Sequence, residues 1–275
     1  MRALVLGGGG ITGIAWELGI LAGLREHGVD LTDADLVVGT SAGAYVGALV
    51  ATGAELAAAV AHAGSIDLEL SPRIDVTLLA QGFALLSDRS LPPEQARARL
   101  GDLARRAPVG DPDEHVARFS RSLPARRWPT RPRLVVTAVD TATGRLVAWD
   151  AEAAVPLAEA VAASCAVPGV FPPVPVAGAG HFMDGGVRSV TNADLAAGAG
   201  AVVVVAPTAG VFRDSPREEL ARLIGARTVL LAPDDAARAA IGPNILDPTR
   251  RAAALAAGAA QAAALAPRVA RVWDG

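Results

Sequence analysis

The sequence predicts an α/β protein: a central, mostly parallel sheet flanked by helices, forming one domain over residues 1–275 with a helical insertion at about 65–132. Three observations carry this expectation. Leu4-Val5-Leu6 and Leu36-Val37-Val38 are short unbroken apolar runs, each ending in a glycine-bearing turn and followed by apolar residues at helical spacing. Unbroken runs belong to strands buried on both faces, and strand–helix–strand succession gives parallel pairing. The composition permits a sizeable core, since 52% of the 275 residues are hydrophobic and 19% charged.

The elements follow in order. Leu4–Leu6 reads as a strand that breaks at Gly7-Gly8-Gly9-Gly10, and Ile14, Leu18, Leu21 and Leu24 trace a helix stopped by Gly28. Leu36–Val38 is a second strand, ending at Gly39-Thr40-Ser41-Ala42-Gly43, with a helix through Val46, Leu49 and Val50 behind it. Residues 65–132 change character, with scattered proline, arginine-rich helical stretches at Pro93–Arg106 and Glu114–Arg121, and no strand pattern. Leu134–Val139, Thr141-Ala142-Thr143-Gly144 and Arg145–Trp149 read as a hairpin. A helix over about Ala151–Ala163, a proline-rich stretch at Val167–Pro175, and a short strand at His181–Asp184 broken by Gly185-Gly186 come next. Asp194–Gly198 reads as helix, Val202–Val205 and Thr228–Leu231 as strands, and Arg250–Ala266 as an alanine-rich helix.

Charge and cysteine content narrow the function. All 25 basic residues are arginine, and a net charge of -3 gives no support to nucleic-acid binding. Residues 88–133 are the basic part, with 11 Arg against 6 Asp+Glu. The single cysteine, Cys165, excludes an internal disulfide and gives no support to a cysteine-based metal site. No run reaches the ~18 consecutive strongly apolar residues of a membrane span, and Glu17 interrupts the apolar start where a signal peptide would continue. These features lead to the expectation of a cytoplasmic protein that meets membranes, if at all, peripherally.

Gly39-Thr40-Ser41-Ala42-Gly43 fits Gly-x-Ser-x-Gly between a strand and a helix. Small residues are needed because the turn is tight and the serine must stand clear at the helix N-terminus, where the dipole and free amides favour negative charge. The bland alternative is a glycine-rich strand–helix turn. Gly8-Gly9-Gly10-Ile11-Thr12-Gly13 admits two functional readings. One is a dinucleotide fingerprint using Gly8, Gly10 and Gly13, although the acidic residue expected after the second strand is missing. The other is an oxyanion hole built from glycine amides beside Ser41; a simple tight turn stays open as a third.

Four histidines, His27, His62, His115 and His181, are candidates to activate Ser41. Asp140 or Asp150 with His181 would give the serine–acid–histidine order of ordinary α/β-hydrolases. In the run His181-Phe182-Met183-Asp184, strand alternation puts His181 and Asp184 on opposite faces. Asp184, followed by two glycines that admit close approach, is the better candidate.

Together, Gly8–Gly13, Gly39–Gly43 and Asp184-Gly185-Gly186, in this order and spacing, resemble the patatin-like phospholipases. Ser164-Cys165-Ala166-Val167-Pro168-Gly169-Val170-Phe171-Pro172-Pro173 also resembles that family's Ser-x-x-x-Pro-x-x-Phe-x-Pro segment. The resemblance covers residues 1–60 and roughly 134–206. It implies a three-layer sandwich and a serine–aspartate dyad without histidine: Ser41 as nucleophile, Asp184 as base, and the amides of Gly8, Gly9, Gly10 and Ala42 around the oxyanion. Gly39, Gly43, Gly185 and Gly186 would support the two turns. Substrates would be phospholipids, lysophospholipids or other acyl esters, with no metal or other cofactor. A carboxylate with a pKa of ~3.9 is a poor base for a hydroxyl, so burial is expected to raise it.

Two positions depart from the family pattern. Thr12 stands where Arg or Lys is usual, and Asn192-Ala193-Asp194 has Asp194 in place of proline. Arg97, Arg99, Arg105, Arg106, Arg118, Arg121, Arg126, Arg127, Arg131 and Arg133 read first as solvated helix faces, and second as a surface for anionic lipid head groups. Phe83, Leu85 and Leu86 would pack in the insertion or line an acyl pocket. Beside the hydrolase stand two rivals: a nucleotide-binding protein using the Gly8–Gly13 loop, and a non-catalytic relative that binds lipid.

Overall fold

The computed structural model describes residues 1–56, 58–60, 74–208 and 215–275. His62 and the first part of the expected insertion, residues 65–73, lie outside them. The strands are β1 (Arg2–Leu6), β2 (Leu36–Gly39), β3 (Arg133–Asp140), β4 (Leu146–Trp149), β5 (Val174–Val176), β6 (Gly180–Asp184), β7 (Ala201–Val205) and β8 (Arg227–Leu231). The described helices are α1 (Gly10–Glu26), α2 (Ala42–Ala51), α3 (Val76–Ser87), α4 (Pro93–Ala104) and α5 (Pro112–Ser122), then α6 (Leu157–Ser164), α7 (Pro216–Ala221), α8 (Asp235–Ile241) and α9 (Arg251–Trp273).

The eight strands make one sheet, and β3-β2-β1-β7-β8 run parallel. Antiparallel pairing is confined to one side, where β4 and β6 join β3 and β5 joins β6. The apolar runs divide between the two faces by strand alternation. Leu4, Leu6 and Val37 face a core shared with α1, α2, α6 and α9; Ala3, Val5, Leu36 and Val38 face Leu220, Leu223 and the turn Ala193–Ala196. Leu78, Leu86 and Leu100 of the insertion form a third cluster on Val139 and Met183. Among its described residues the insertion holds no strand, as expected, and it contains one helix, α3, that the arginine pattern did not reveal.

α1 is buried nearly all round because α9 covers the side turned away from the sheet. The two helices touch backbone to backbone: a β-carbon at Gly19 would fall 2.2 Å from the Leu255 carbonyl oxygen, and one at Gly258 2.4 Å from that of Trp16. α9 and the turn before it, Pro248–Trp273, are long and apolar enough by composition to cross a membrane. Here the stripe Ala254, Gly258, Ala262, Ala266, Val269 and Trp273 is buried. The helix runs past Pro267, where the sequence pattern stopped it. Val269 and Trp273 bury their side chains, and Trp273 Nε1 donates to Asp33 Oδ1 at 2.9 Å, offsetting the lost backbone bond. α6 starts at Leu157, later than expected, because Pro156 opens the helix without a donor.

Candidate active site

Ser41 lies between β2 and α2 with φ 54° and ψ -118°. A residue carrying a β-carbon is strained there by about 1–3 kcal/mol, so its surroundings must hold it. Its amide donates to Ser164 Oγ at 2.9 Å, and its carbonyl accepts from the Cys165 thiol at 3.2 Å. Both grips come from the C-terminal end of α6, a role that sequence reading did not assign to Ser164. The flanking glycines answer to backbone contact. A β-carbon at Gly43 would fall 2.1 Å from the Leu6 carbonyl oxygen, and one at Gly39 2.6 Å from Ala44 Cα. The elbow can therefore lie directly on the end of β1.

β3 brings Asp184 to Ser41. One edge of β3 is taken by β4 over Val136–Val139. The other carries β2 as far as Gly39, opposite Val136, and then β6, whose Asp184 stands opposite Ala138. β2 and β6 thus end head to head at Thr137. Gly185 lies against that residue; a β-carbon there would come 2.3 Å from Thr137 Oγ1. Its glycine serves contact with β3, whereas the sequence suggested approach of a ligand.

Asp184 is 4% exposed, and its Oδ1 accepts from the Gly186 amide at 2.7 Å. Its Oδ2 is buried with no hydrogen-bond partner among the described residues. The Ser41 side chain is close enough to act on the carboxylate without a formed hydrogen bond. Burial pushes the Asp184 pKa up to about 7, against the opposing pull of the Ser41 side chain and the Gly186 amide. His181 is exposed on the other face of β6, so alternation assigned both residues to the correct sides.

A polar network behind the seam was not legible in the sequence. Thr40 Oγ1 and Thr137 Oγ1 are 2.9 Å apart, and Asn192 Nδ2 donates to Thr40 Oγ1 at 3.0 Å and to the Ser189 carbonyl at 2.8 Å. Asn192 adopts the left-handed conformation, φ 49°. Asp194, which departs from the family pattern, pairs with both terminal nitrogens of Arg188 at 2.7 Å, and Arg188 also donates to Asn192 Oδ1 at 2.8 Å. Burial works to raise the Asp194 pKa, but the bonds and charge of Arg188 outweigh it and hold the carboxyl below its ordinary value. The Arg188 ion pair thus ties down the Asn192–Asp194 turn.

The proposed oxyanion donors divide. The Gly8 amide already donates to the Val190 carbonyl at 2.7 Å, which removes it from the set. The amides of Gly9, Gly10 and Ala42 have no partner among the described residues. Thr12 is turned away, with its amide and hydroxyl both on the Ile245 carbonyl. With Gly8, Thr12 and Gly13 amides all engaged, the loop keeps few donors for a nucleotide phosphate.

A cavity of about 50 Å³ opens on Ser41 and Ala42, walled by Ile11, Ile14, Phe119 and Leu246. Of the insertion residues expected to line a pocket or pack, Leu86 is buried under α4, Leu85 packs beside it, and Phe83 is exposed. The pocket wall instead comes from α5, through His115, Arg118 and Phe119.

The chain belongs to the patatin-like phospholipase family, whose model matches residues 4–197. That family is one of lipid acyl hydrolases. Among solved structures, VipD from Legionella pneumophila is similar over 97% of this chain and 66% of its own, at 14% identity and a TM-score of 0.49. The type III effector protein ExoU is similar over 98% of this chain and 53% of its own, at 16% identity and a TM-score of 0.45. The chain therefore spans about two thirds of the first and about half of the second. Comparison with curated proteins gives no match.

Proposed function

We propose that the protein is a serine acyl hydrolase that cleaves acyl esters of lipids, phospholipids and lysophospholipids among them, with Ser41 as nucleophile and Asp184 as base. The observation that carries this reading is the buried Asp184 carboxylate, one oxygen without a partner among the described residues, beside a serine in an elbow conformation. A pKa near 7 makes the carboxylate far more basic than in water while leaving it ionised above neutrality.

Ser41 Oγ attacks the acyl carbonyl as its proton passes to Asp184. The amides of Gly9, Gly10 and Ala42, with the N-terminus of α2, stabilise the oxyanion. Collapse expels the alcohol, which takes the proton back from Asp184, and leaves an acyl-serine. A water then attacks the acyl carbon, giving its proton to Asp184; that proton returns to Ser41 Oγ as the fatty acid leaves. The cavity is far below the roughly 300–1,000 Å³ of a drug-sized site, so a long acyl chain enters only as α5 and Leu246 part.

Fluorophosphonate labelling with peptide mass spectrometry, alongside a medium-chain ester assay, tests the reading. Wild type is expected to label on Ser41 and turn over ester, while Ser41→Ala does neither. A folded wild type that neither labels nor turns over ester, yet binds fatty acid, would instead be a lipid-binding relative.

A further inference from the structure

The cavity on Ser41 is lined mostly by apolar side chains, with Ser41, Tyr45, His115 and Ser122 adding neutral polar groups. Among the described residues, Arg118, on α5, is the only charged side chain that lines it. No carboxylate lies within ion-pair distance of its guanidinium among the described residues, although the same chain pairs arginines readily elsewhere. Neutral groups hold it instead. Arg118 Nη1 donates to His115 Nδ1 at 3.4 Å, and the guanidinium carbon lies 6.0 Å from the centre of the Phe171 ring.

His115 is arranged for this task. Its Nε2 is 3.0 Å from the Ala162 carbonyl oxygen, which can only accept, so Nε2 carries the ring proton and Nδ1 offers its lone pair to Arg118. The ring is stacked on Phe171, with centres 4.7 Å apart, and set edge-on to Phe119 at 5.3 Å. It is 2% exposed. Burial first, and the charge of Arg118 after it, pull the His115 pKa down to about 4 against the opposing Ala162 bond, so the acceptor persists at neutral pH. A half-buried cation is thus held beside the nucleophile by neutral groups, with no ion pair among the described residues; Glu114, one turn away on α5, offsets part of its charge at longer range, and Arg121 adds to it. An oxyanion is the partner whose chemistry fits such a group, and a guanidinium meets phosphate through paired bonds.

We propose that Arg118 selects acyl esters whose alcohol carries a phosphate. The acyl chain would lie along Ile11, Ile14, Phe119 and Leu246, and the phosphate would meet Arg118 at the half-exposed rim. This inference rests on the hydrolase reading of Ser41.

The test compares a monoacylglycerol with its 3-phosphate, using the same acyl chain. The readout is the ratio of their kcat/KM values in wild type, Arg118→Gln and Arg118→Lys; a ratio cancels any loss of active protein. Wild type is expected to favour the phosphate ester. Arg118→Gln should lower that preference about tenfold, chiefly through KM, and Arg118→Lys should recover part of it. An unchanged ratio in Arg118→Gln overturns the proposal. If wild type cleaves neither ester, the hydrolase reading fails, and calorimetric binding of the acylglycerol phosphate still decides the assignment. Affinity equal in wild type and Arg118→Gln would then overturn it, and weaker binding in the variant would support it.

Discussion

Asp184 ties activity and stability to pH with opposite signs. On the proposed mechanism the base must be ionised, so kcat/KM should rise with pH through about 7 and level off above it. Stability runs the other way. A carboxyl whose folded pKa is raised from 3.8 to about 7 contributes fully below the lower value, and that contribution is lost as pH rises through the higher one. Asp184→Asn should therefore abolish turnover while stabilising the fold at pH 8 by roughly 2–4 kcal/mol, read by urea titration of both proteins. A variant less stable than wild type at pH 8 would contradict this. Glu17, fully buried, is also raised well above its ordinary value by burial against a weaker pull from the nearby Gly7 backbone, so the comparison must be between variant and wild type. At this scale the sequence was most legible where chemistry is local. Ser41 and Asp184 each sit in a short motif, and alternation along β6 separated Asp184 from His181. Ser164, Thr137 and Asn192 were hidden because each works through a partner distant in the chain. The Gly8 amide falls outside the proposed oxyanion set for the same reason: its acceptor, Val190, is supplied by the loop after β6.

Among the elements, the parallel strands were the easiest to read, since unbroken apolar runs have few other uses. α3 was missed because its apolar residues do not form one inward stripe. Leu78 and Leu86 are buried, while Val76 is 71% exposed and Ile74, just before the helix, 43%. Leu79 and Phe83 also leave much of their side chains at the surface. On the proposed function the protein must reach substrate held in membranes, and we propose this face for the contact. Co-sedimentation with phospholipid vesicles is expected for wild type and should fall at least several-fold in an Ile74→Glu, Val76→Glu double variant whose melting temperature is unchanged. Equal sedimentation of the two would assign the contact elsewhere. α6 and α9 show why helix boundaries resist reading: Pro156 delays one helix, whereas Pro267 fails to end the other because Val269 and Trp273 gain burial beyond it.

Across the whole molecule, the family match ends at residue 197, yet the site depends on chain beyond it. Leu246 walls the cavity, and the Ile245 carbonyl receives both the amide and the hydroxyl of Thr12. α9 covers the outer side of α1, whose first residue, Gly10, offers one of the proposed oxyanion amides. A protein ending at residue 247 should lose cooperative thermal unfolding by circular dichroism, because it leaves α1 with its apolar side in water. A folded and active truncated protein would show that the matched segment suffices. The meeting of β2 and β6 on one edge of β3 also orders events in time. The ribosome delivers β1, β2 and Ser41 early, but the partner carboxylate is not synthesised until residue 184. Even then it cannot take its place before β3 is seated. On the proposed mechanism, a nascent or half-assembled chain carries a serine with no proton acceptor, and so cannot attack lipid esters during its own manufacture.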